Sequence, residues 1–262
     1  MTDPAPSTGP SFLLQARDAS ARNVPAVIVT IVSGAIPGSR IMILGDAVQG
    51  SLGTEALDEA GRQVGHDAIA SEKSGIVTLA PGIDAFVDVF PPPPLMIIIG
   101  AVHVAQAVVA VARPLGFRIV VVDARQTLAT RERFPDVDEL IVAWPDDAYA
   151  RLPITRTTAI VILTHDPKFD EPAILGALRT DAGYIGAVGS RKTNVDRRER
   201  LIEAGAADAQ IERVHGPIGL NIGGGSPEEM AISILAEIIA VRNGRSGGSL
   251  RLAKGSIRSD GE

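Results

Sequence analysis

After residue 94, short β-branched segments alternate with helical segments, and few folds are compatible with this pattern. The strand-like segments are 95–100, 117–123, 139–144, 158–164 and 184–189. Helical patterns lie at 103–115, in part of 124–135, and at 146–152, 169–180 and 191–204. Strands and helices that alternate at this length form a parallel sheet covered by helices on both faces. We therefore expect an α/β domain over residues 95–243.

The first of these segments belongs to an uncharged run of eighteen residues, 95–112, which is near the length of a membrane span. Gly100, His103 and Gln106 interrupt the run. A buried strand followed by its crossover helix has the same composition, so we expect a strand ending near Gly100 and a helix from His103. The first eleven residues lack the basic and apolar regions of a secretion signal. These features predict a cytoplasmic protein without a membrane partner.

Upstream, residues 11–90 have the pattern of a smaller α+β domain. Helical patterns cover 11–23 and part of 54–70, and extended patterns cover 26–32, 40–44, 47–52, 75–80 and 83–90. Residues 1–10 are mostly Pro, Ser, Thr and Gly, which predicts disorder. The four prolines at 91–94 have no N–H to donate to a sheet, so they predict a stiff linker between two domains.

The last predicted helix has clear start and stop signals. Ser226-Pro227-Glu228-Glu229 provides an N-cap, a first-turn proline and a capping-box glutamate in the expected order. Asn243-Gly244 is a typical helix end. The Gly-, Ser- and Arg-rich residues 244–262 predict a flexible tail.

Composition excludes several classes of function. The chain of 262 residues has a formal net charge of −6, so we expect no nucleic-acid partner, since such binding needs a basic face. It contains no cysteine, which excludes disulfides, a thiol nucleophile and thiolate metal ligands. The four histidines, at 66, 103, 165 and 215, lack metal-ligand spacing, and no serine-centred nucleophile motif is present. We therefore predict neither a metal site nor a catalytic residue.

The first turn of the predicted parallel sheet is similar to a dinucleotide-binding motif. Gly100-Ala101-Val102-His103-Val104-Ala105 follows a strand and opens a helix, at the place of G-x-G-x-x-G/A. Asp123 ends the next strand, 23 residues after Gly100, where a carboxylate accepts hydrogen bonds from a ribose. Val102 stands where a second glycine would let the backbone approach a pyrophosphate. The pattern indicates a Rossmann turn, with or without a bound nucleotide.

Three further segments are candidates for ligand contacts. Residues 183–192 form a glycine-punctuated strand that runs into a helix with Ser190, Arg191 and Lys192, a combination that suits an anion. Thr164-His165-Asp166 lies at the end of another strand, where ligands bind in open α/β sheets. The glycine-rich segment 215–225 precedes the last helix. Close packing or a long irregular connection would also explain these glycines.

Taken together, the motifs resemble those of the xanthine dehydrogenase accessory proteins, the XdhC/CoxI family. The resemblance rests on GAVHVAQAV (100–108), VVDAR (121–125), RFPDVDELIVAWP (133–145), LTHDPKFDEPAIL (163–175), YIGAVGSRKT (184–193) and HGPIGLNIGGGSPEEMAISILAEI (215–238). It implies a C-terminal Rossmann-like parallel sheet with a smaller N-terminal α+β domain. It also implies a protein that binds molybdenum cofactor (molybdopterin), assists its sulfuration through a sulfur-donor protein, and delivers it to a molybdenum hydroxylase client. A homodimer is expected as well.

The resemblance also implies a set of cofactor-binding residues at the carboxyl ends of the strands. These are Gly100, Val102, His103, Val104, Asp123, Arg125, Thr164, His165, Asp166, Gly189, Ser190 and Arg191. The chain departs from the family pattern at Val102, at Asn221 in place of an expected aspartate, and at Thr54-Glu55-Ala56, where glycines and a cysteine are expected. It is therefore identified as a divergent member.

Two other functions remain open. An NAD(P)-binding Rossmann oxidoreductase would need a proton donor, for which His165 is the available residue. Asp123 would disfavour a 2′-phosphate, whereas Arg125 would accommodate one, so the choice between NAD and NADP is open. The third hypothesis is a non-catalytic interaction module. Among these, a cofactor-insertion chaperone is the leading hypothesis, rather than an enzyme with turnover.

Overall fold

The computed structural model describes residues 11–34 and 36–252, and the chain divides into two compact units between Pro93 and Pro94. The predicted disordered residues 1–10 lie outside the described residues, as do residues 253–262 of the predicted tail. In the rest of the tail, Leu250–Leu252 form one turn of 3-10 helix. No helix in the described ranges is long and apolar enough to cross a membrane.

The N-terminal unit is an antiparallel sheet with a helix on each face. Its elements are α1 (Phe12–Ala21), β1 (Ala26–Ile31), β2 (Arg40–Leu44), β3 (Ala47–Ser51), α2 (Glu55–Ser71), β4 (Gly75–Ala80) and β5 (Ile83–Phe90). The strand order is β3-β2-β1-β5-β4. Alternate residues of β1 point to opposite faces, so Val27 and Val29 pack on the α2 side while Ala26 and Ile28 pack on the α1 side. The predicted α+β composition is confirmed.

The C-terminal unit is a parallel sheet with helices on both faces. Its elements are β6 (Leu95–Ile99), α3 (His103–Ala112), β7 (Arg118–Val122), β8 (Glu139–Ile141), α4 (Pro145–Tyr149), β9 (Ala159–Ile162), α5 (Pro167–Leu178), β10 (Tyr184–Ala187), α6 (Arg191–Glu203), α7 (Asp208–Ile211), β11 (Val214–His215) and α8 (Pro227–Arg242). The strand order is β8-β7-β6-β9-β10-β11, and every neighbouring pair is parallel. This is the Rossmann order, in which the direction of winding reverses between β6 and β9. The predicted fold class is confirmed.

The strand β6 explains the uncharged run of the sequence. All five of its residues are buried; Met96 and Ile98 pack with α3 and α8, while Ile97 and Ile99 pack with α4 and α5. A strand covered on both faces has no polar side, so its sequence is a continuous apolar segment. The helix α3 then begins at His103, as predicted, and continues as a 3-10 turn over Arg113–Leu115.

One predicted element is wrong, and another is shorter than predicted. The segment 124–135 contains turns and no helix. Turns there are held partly by a tertiary contact that a local pattern does not indicate, since the Arg133 guanidinium donates to the carbonyls of Leu128 and Ala101, both at 2.7 Å. The predicted strand 139–144 ends at Ile141, because the chain turns into α4, whose first residue is Pro145. The short elements α7 and β11 were not predicted.

Candidate functional site

The carboxyl ends of β6, β7, β9 and β10 bring four of the predicted residues to one edge of the sheet. Gly100 follows β6, Asp123 follows β7, Thr164 follows β9 by two residues, and Gly189 follows β10 by two residues. In Rossmann folds, ligands bind outside this edge, where the strand order reverses. The structure therefore places the predicted residues in the region where a ligand is expected.

A cleft of about 650 Å³ opens at this edge, between the start of α6 and the glycine-rich segment before α8. Four predicted residues line it: His165, Gly189, Ser190 and Arg191. Residues 217–224 form the opposite wall, and Met230 and Ser233 of α8 contribute side chains. Of the described residues that line the cleft, none is a carboxylate, so Arg191 provides its fixed charge. In a chain of net charge −6, this lining favours an anion.

The first turn of α6 forms the polar end of the cleft. Gly189 has φ +142°, and a Cβ there would lie 3.2 Å from Thr193 Cγ2, so the turn is built for a glycine. Ser190 caps the helix, since its hydroxyl accepts a hydrogen bond from the Thr193 N–H at 3.0 Å. The free N–H groups and partial positive charge of a helix N-terminus attract anions. Arg191, the first residue of α6, adds a full positive charge.

The glycine-rich wall is held by Glu237 of α8. One oxygen of Glu237 accepts hydrogen bonds from the Gly219 N–H at 2.8 Å and from the Tyr184 hydroxyl at 2.5 Å. The His215 ring stacks on Tyr184 with centroids 4.7 Å apart, and its Nδ1 lies 3.8 Å from the other Glu237 oxygen. Burial raises the pKa of Glu237, but His215 and the two hydrogen bonds lower it more, so it lies below its ordinary value. Glu237 therefore carries a charge that fixes the wall.

A buried ion pair lies next to Val188, which lines the cleft. Arg197 of α6 donates to Asp170 at 3.2 Å, to the Val188 carbonyl at 2.8 Å and to Asn194 at 2.6 Å. Thr164 donates its hydroxyl to the same Asp170. Burial raises the pKa of Asp170 against the lowering effect of these donors. Thr164 is thus part of the support that joins β9, α5 and α6, and its hydroxyl points to Asp170.

Asp123, the predicted ribose ligand, is fully engaged within the chain. Its oxygens accept from the Ala101 N–H at 2.8 Å, from the Arg125 N–H at 2.9 Å, and from Arg125 Nε and Nη2 at 2.9 and 2.7 Å. Burial raises the pKa of Asp123, but Arg125 and the two backbone donors bring it below its ordinary value. A carboxylate has about four acceptor positions, so these four hydrogen bonds occupy it.

Four other predicted residues lie at the start of a helix and make local contacts. Val102 precedes α3 as its N-cap and packs half-buried against the core, and Val104 does likewise within the helix. His103 is exposed, with Nδ1 3.2 Å from Gln106 Oε1. Asp166 caps α5 by accepting from the Lys168 N–H at 3.0 Å. None of these four residues lines the cleft.

The prediction of site residues missed one wall of the cleft. Thr193, Asn221, Met230 and Ser233 line it, although they were not in the predicted set. The glycines of 216–225 were the available signal, but composition alone does not distinguish a ligand-binding loop from an irregular connection. Within 11–34 and 36–252, no group of three or more His, Cys, Asp or Glu residues could hold a metal ion.

Comparison with known proteins gives two relatives and one solved structure of interest. Over 157 residues the chain is 31% identical to a probable xanthine dehydrogenase subunit of Bacillus subtilis, covering 60% of this chain and 46% of that protein. Over 95 residues it is 30% identical to the molybdenum cofactor insertion chaperone PaoD of Escherichia coli. This match covers 36% of this chain and 30% of PaoD. A crystal structure of a xanthine dehydrogenase from Bacillus halodurans matches with a TM-score of 0.66 and 25% identity, covering 88% of this chain and 66% of that one. The chain thus spans less than half the length of the two relatives from Bacillus subtilis and Escherichia coli.

The sequence model of the XdhC Rossmann domain matches residues 96–238, which is more than half of the chain. The matched range begins in β6 and ends in α8, so it contains the parallel sheet and all residues named above as lining the cleft. The predicted family is therefore confirmed, and the chain belongs to the XdhC family.

Proposed function

We propose that this protein binds molybdenum cofactor and assists its maturation and insertion into a molybdenum hydroxylase of the xanthine dehydrogenase type. The observation that carries the proposal is the cleft of about 650 Å³ with the N-terminus of α6 and Arg191 at one end and no carboxylate among its described lining residues. Pockets of roughly 300–1,000 Å³ accommodate small organic ligands. The similarity to PaoD, a molybdenum cofactor insertion chaperone, supports the same assignment.

The residues of the cleft fit a pterin that carries a phosphate. Gly189, Ser190 and Arg191 would hold the phosphate, because a tight glycine turn at a helix N-terminus presents backbone N–H groups to it. Asn221 and Ser233 would hydrogen-bond polar atoms of the pterin, and Met230 would cover its apolar face. Bound there, the cofactor would supply the molybdenum chemistry of the client enzyme. This chain would bind, orient and release it.

The proposal includes two partner proteins. The client would be a molybdenum hydroxylase, consistent with similar proteins described as a xanthine dehydrogenase and as a probable xanthine dehydrogenase subunit. The chain has no cysteine, so it has no thiol of its own on which to carry sulfur. A separate sulfur-donor protein would therefore be required for cofactor sulfuration. A homodimer and a cytoplasmic location also remain predictions.

The proposal is tested by measuring the affinity for molybdopterin of two variants, in which Arg191 or its neighbour Lys192 is replaced by alanine. Arg191 lines the cleft, whereas Lys192, the next residue of α6, does not. We expect Arg191→Ala to weaken molybdopterin binding by about 10-fold or more, because it removes a charged hydrogen-bond donor to the phosphate. Lys192→Ala should bind within about twofold of the wild type, because an exposed charge that does not line the cleft adds little.

The second readout is transfer of the bound cofactor to a cofactor-free molybdenum hydroxylase, measured as recovered hydroxylase activity. Wild type and Lys192→Ala should support equal recovery, and Arg191→Ala should support less at the same concentrations. Equal molybdopterin affinity for the Arg191 and Lys192 variants would place the ligand outside this cleft. Absence of molybdopterin binding to the wild type would remove the proposal.

A further inference from the structure

In the first nucleotide-binding half of the Rossmann sheet, at the ends of β6 and β7, side chains of this protein occupy the place of a nucleotide. In such folds a carboxylate after the second strand binds the ribose, and the first turn approaches the pyrophosphate. Here that carboxylate, Asp123, is 1% exposed and is gripped by the Arg125 guanidinium at 2.7 and 2.9 Å. The position that a ribose diol would take is therefore occupied by a guanidinium.

Two aromatic rings pack beside the Arg125 guanidinium. The Arg125 guanidinium carbon lies 5.2 Å from the centroid of Phe169, and the Trp144 ring stacks on Phe169 with centroids 4.8 Å apart and planes 14° apart. The space left among Gly100, Asp123 and Phe169 is about 10 Å³. That cavity is no larger than a single water needs, which is about 10–15 Å³.

The contrast with the other half of the sheet is large. The cleft beside β10 has a volume of about 650 Å³, whereas the cavity enclosed by Gly100, Asp123 and Phe169 has about 10 Å³. A dinucleotide needs both halves, because its two nucleotides extend across the point where the strand order reverses. A ligand with one phosphate and one ring system needs only the β10 half.

The geometry points to Arg125 as a built-in occupant of the ribose position, which excludes dinucleotides and restricts the ligand to a compact phosphate ester bound beside β10. The exclusion of dinucleotides stands on the contacts of Arg125 alone. The identity of the compact ester as a pterin monophosphate rests on the proposed function.

The energetics support the exclusion. A bidentate guanidinium–carboxylate pair combines two charge-assisted hydrogen bonds with fixed geometry, and it is stronger than the neutral hydrogen bonds of a ribose diol. A ribose that displaced Arg125 would also leave that cation without its partner beside Phe169. The Arg125 pKa is raised, first of all by the hydrogen bond to Asp123, so the guanidinium stays charged. Binding of a dinucleotide would therefore have to break an ion pair that the free protein already contains.

Titration with NAD+ by calorimetry tests the exclusion directly. We expect no saturable binding of NAD+ to the wild type below about 1 mM. Arg125→Ala removes the guanidinium and frees two acceptor positions of Asp123, so NAD+ should bind this variant saturably, with a Kd of about 10–100 μM. Adding Asp123→Asn to Arg125→Ala should abolish the gain, because the freed carboxylate is its source.

Controls separate this result from general effects. Arg179→Ala breaks the exposed Arg179–Asp146 pair and should leave NAD+ binding absent. If Arg125→Ala does not fold, Arg125→Lys replaces it, since a lysine keeps a charge near Asp123 but lacks the bidentate fork. Saturable binding of NAD+ to the wild type, or a folded Arg125 variant that gains none, would overturn the inference. Titration of the wild type with molybdopterin is read separately, so failure of the proposed function leaves the NAD+ result standing.

Discussion

Gly100 and Gly116 both adopt a positive φ, but only Gly100 lies against a neighbouring strand end. A Cβ on Gly100 (φ +106°) would lie 2.6 Å from Thr164 Cγ2, whereas a Cβ on Gly116 (φ +81°) would meet nothing within 4 Å. Gly116→Ala should therefore lower the free energy of unfolding by about 1–2 kcal/mol through backbone strain alone. Gly100→Ala adds overpacking of roughly 1–3 kcal/mol, so the larger loss is expected there.

Urea denaturation of the two variants measures this difference, with the slope of the transition checked for two-state behaviour. Equal losses for the two glycines would show that Thr164 moves aside without cost. That outcome would also show that the hydrogen bond to Asp170 does not fix the position of the Thr164 side chain.

In the first nucleotide half, the spacing of the sequence predicted where the residues lie along the chain, whereas their tertiary contacts could not be predicted. Asp123 directly follows β7, the strand next to β6, in agreement with the spacing of 23 residues from Gly100. The pairing of Asp123 with Arg125 was not predictable, because residues two apart in a loop have no fixed relative orientation. Phe169 approaches from a helix more than forty residues later, and no local pattern indicates that contact.

At the level of elements, local sequence signals were sufficient to predict a helix boundary where the hydrogen bonds that form it join residues close in sequence. The capping box at Ser226 and Glu229 forms as predicted, and α8 ends at Arg242, immediately before Asn243-Gly244. The segment 124–135 has helix-compatible residues, yet Arg131 and Arg133 donate their side-chain N–H groups to the carbonyls of Val137 and Leu128. Such pairing depends on the completed tertiary structure, so the sequence pattern alone predicted the wrong element.

Glu237, which joins α8 to the glycine-rich wall, predicts that the free energy of unfolding depends on pH. Glu237 has a pKa below its ordinary value in the folded state, so its contribution to stability is present above the unfolded pKa, about 4.3, and is lost as the pH falls through the lower folded value. At pH 7, Glu237→Gln should reduce the free energy of unfolding by about 1–3 kcal/mol, because the charge accepts hydrogen bonds from Tyr184 and Gly219.

Chemical denaturation of wild type and Glu237→Gln from pH 7 to about pH 3 measures this contribution. The difference between the two proteins should shrink as the pH falls below about 5, while other carboxylates affect both proteins alike. Glu229→Gln is a matched control, since Glu229 also accepts from backbone N–H groups and has a lowered pKa, but it is exposed at the start of α8. Glu229→Gln should lower the free energy of unfolding by less than Glu237→Gln does. A difference that stays constant with pH would contradict the role of the Glu237 charge.

For the whole molecule, all described residues that line the cleft follow Pro94, in the second compact unit. That unit has its own core on both faces of the parallel sheet, from Met96 and Ile98 on one side to Ile97 and Ile99 on the other. A chain that begins at Pro94 should therefore fold cooperatively and bind molybdopterin with an affinity within about threefold of the full chain, which is less than about 1 kcal/mol. Calorimetric titration of both proteins with molybdopterin measures the two affinities.

The fragment 11–93, which contains the antiparallel sheet, is the control and should not bind molybdopterin. A fragment from Pro94 that folds but binds more than about tenfold more weakly would show that the N-terminal unit contributes to the ligand site, and the role of α6 and Arg191 as its main anchor would then have to be revised.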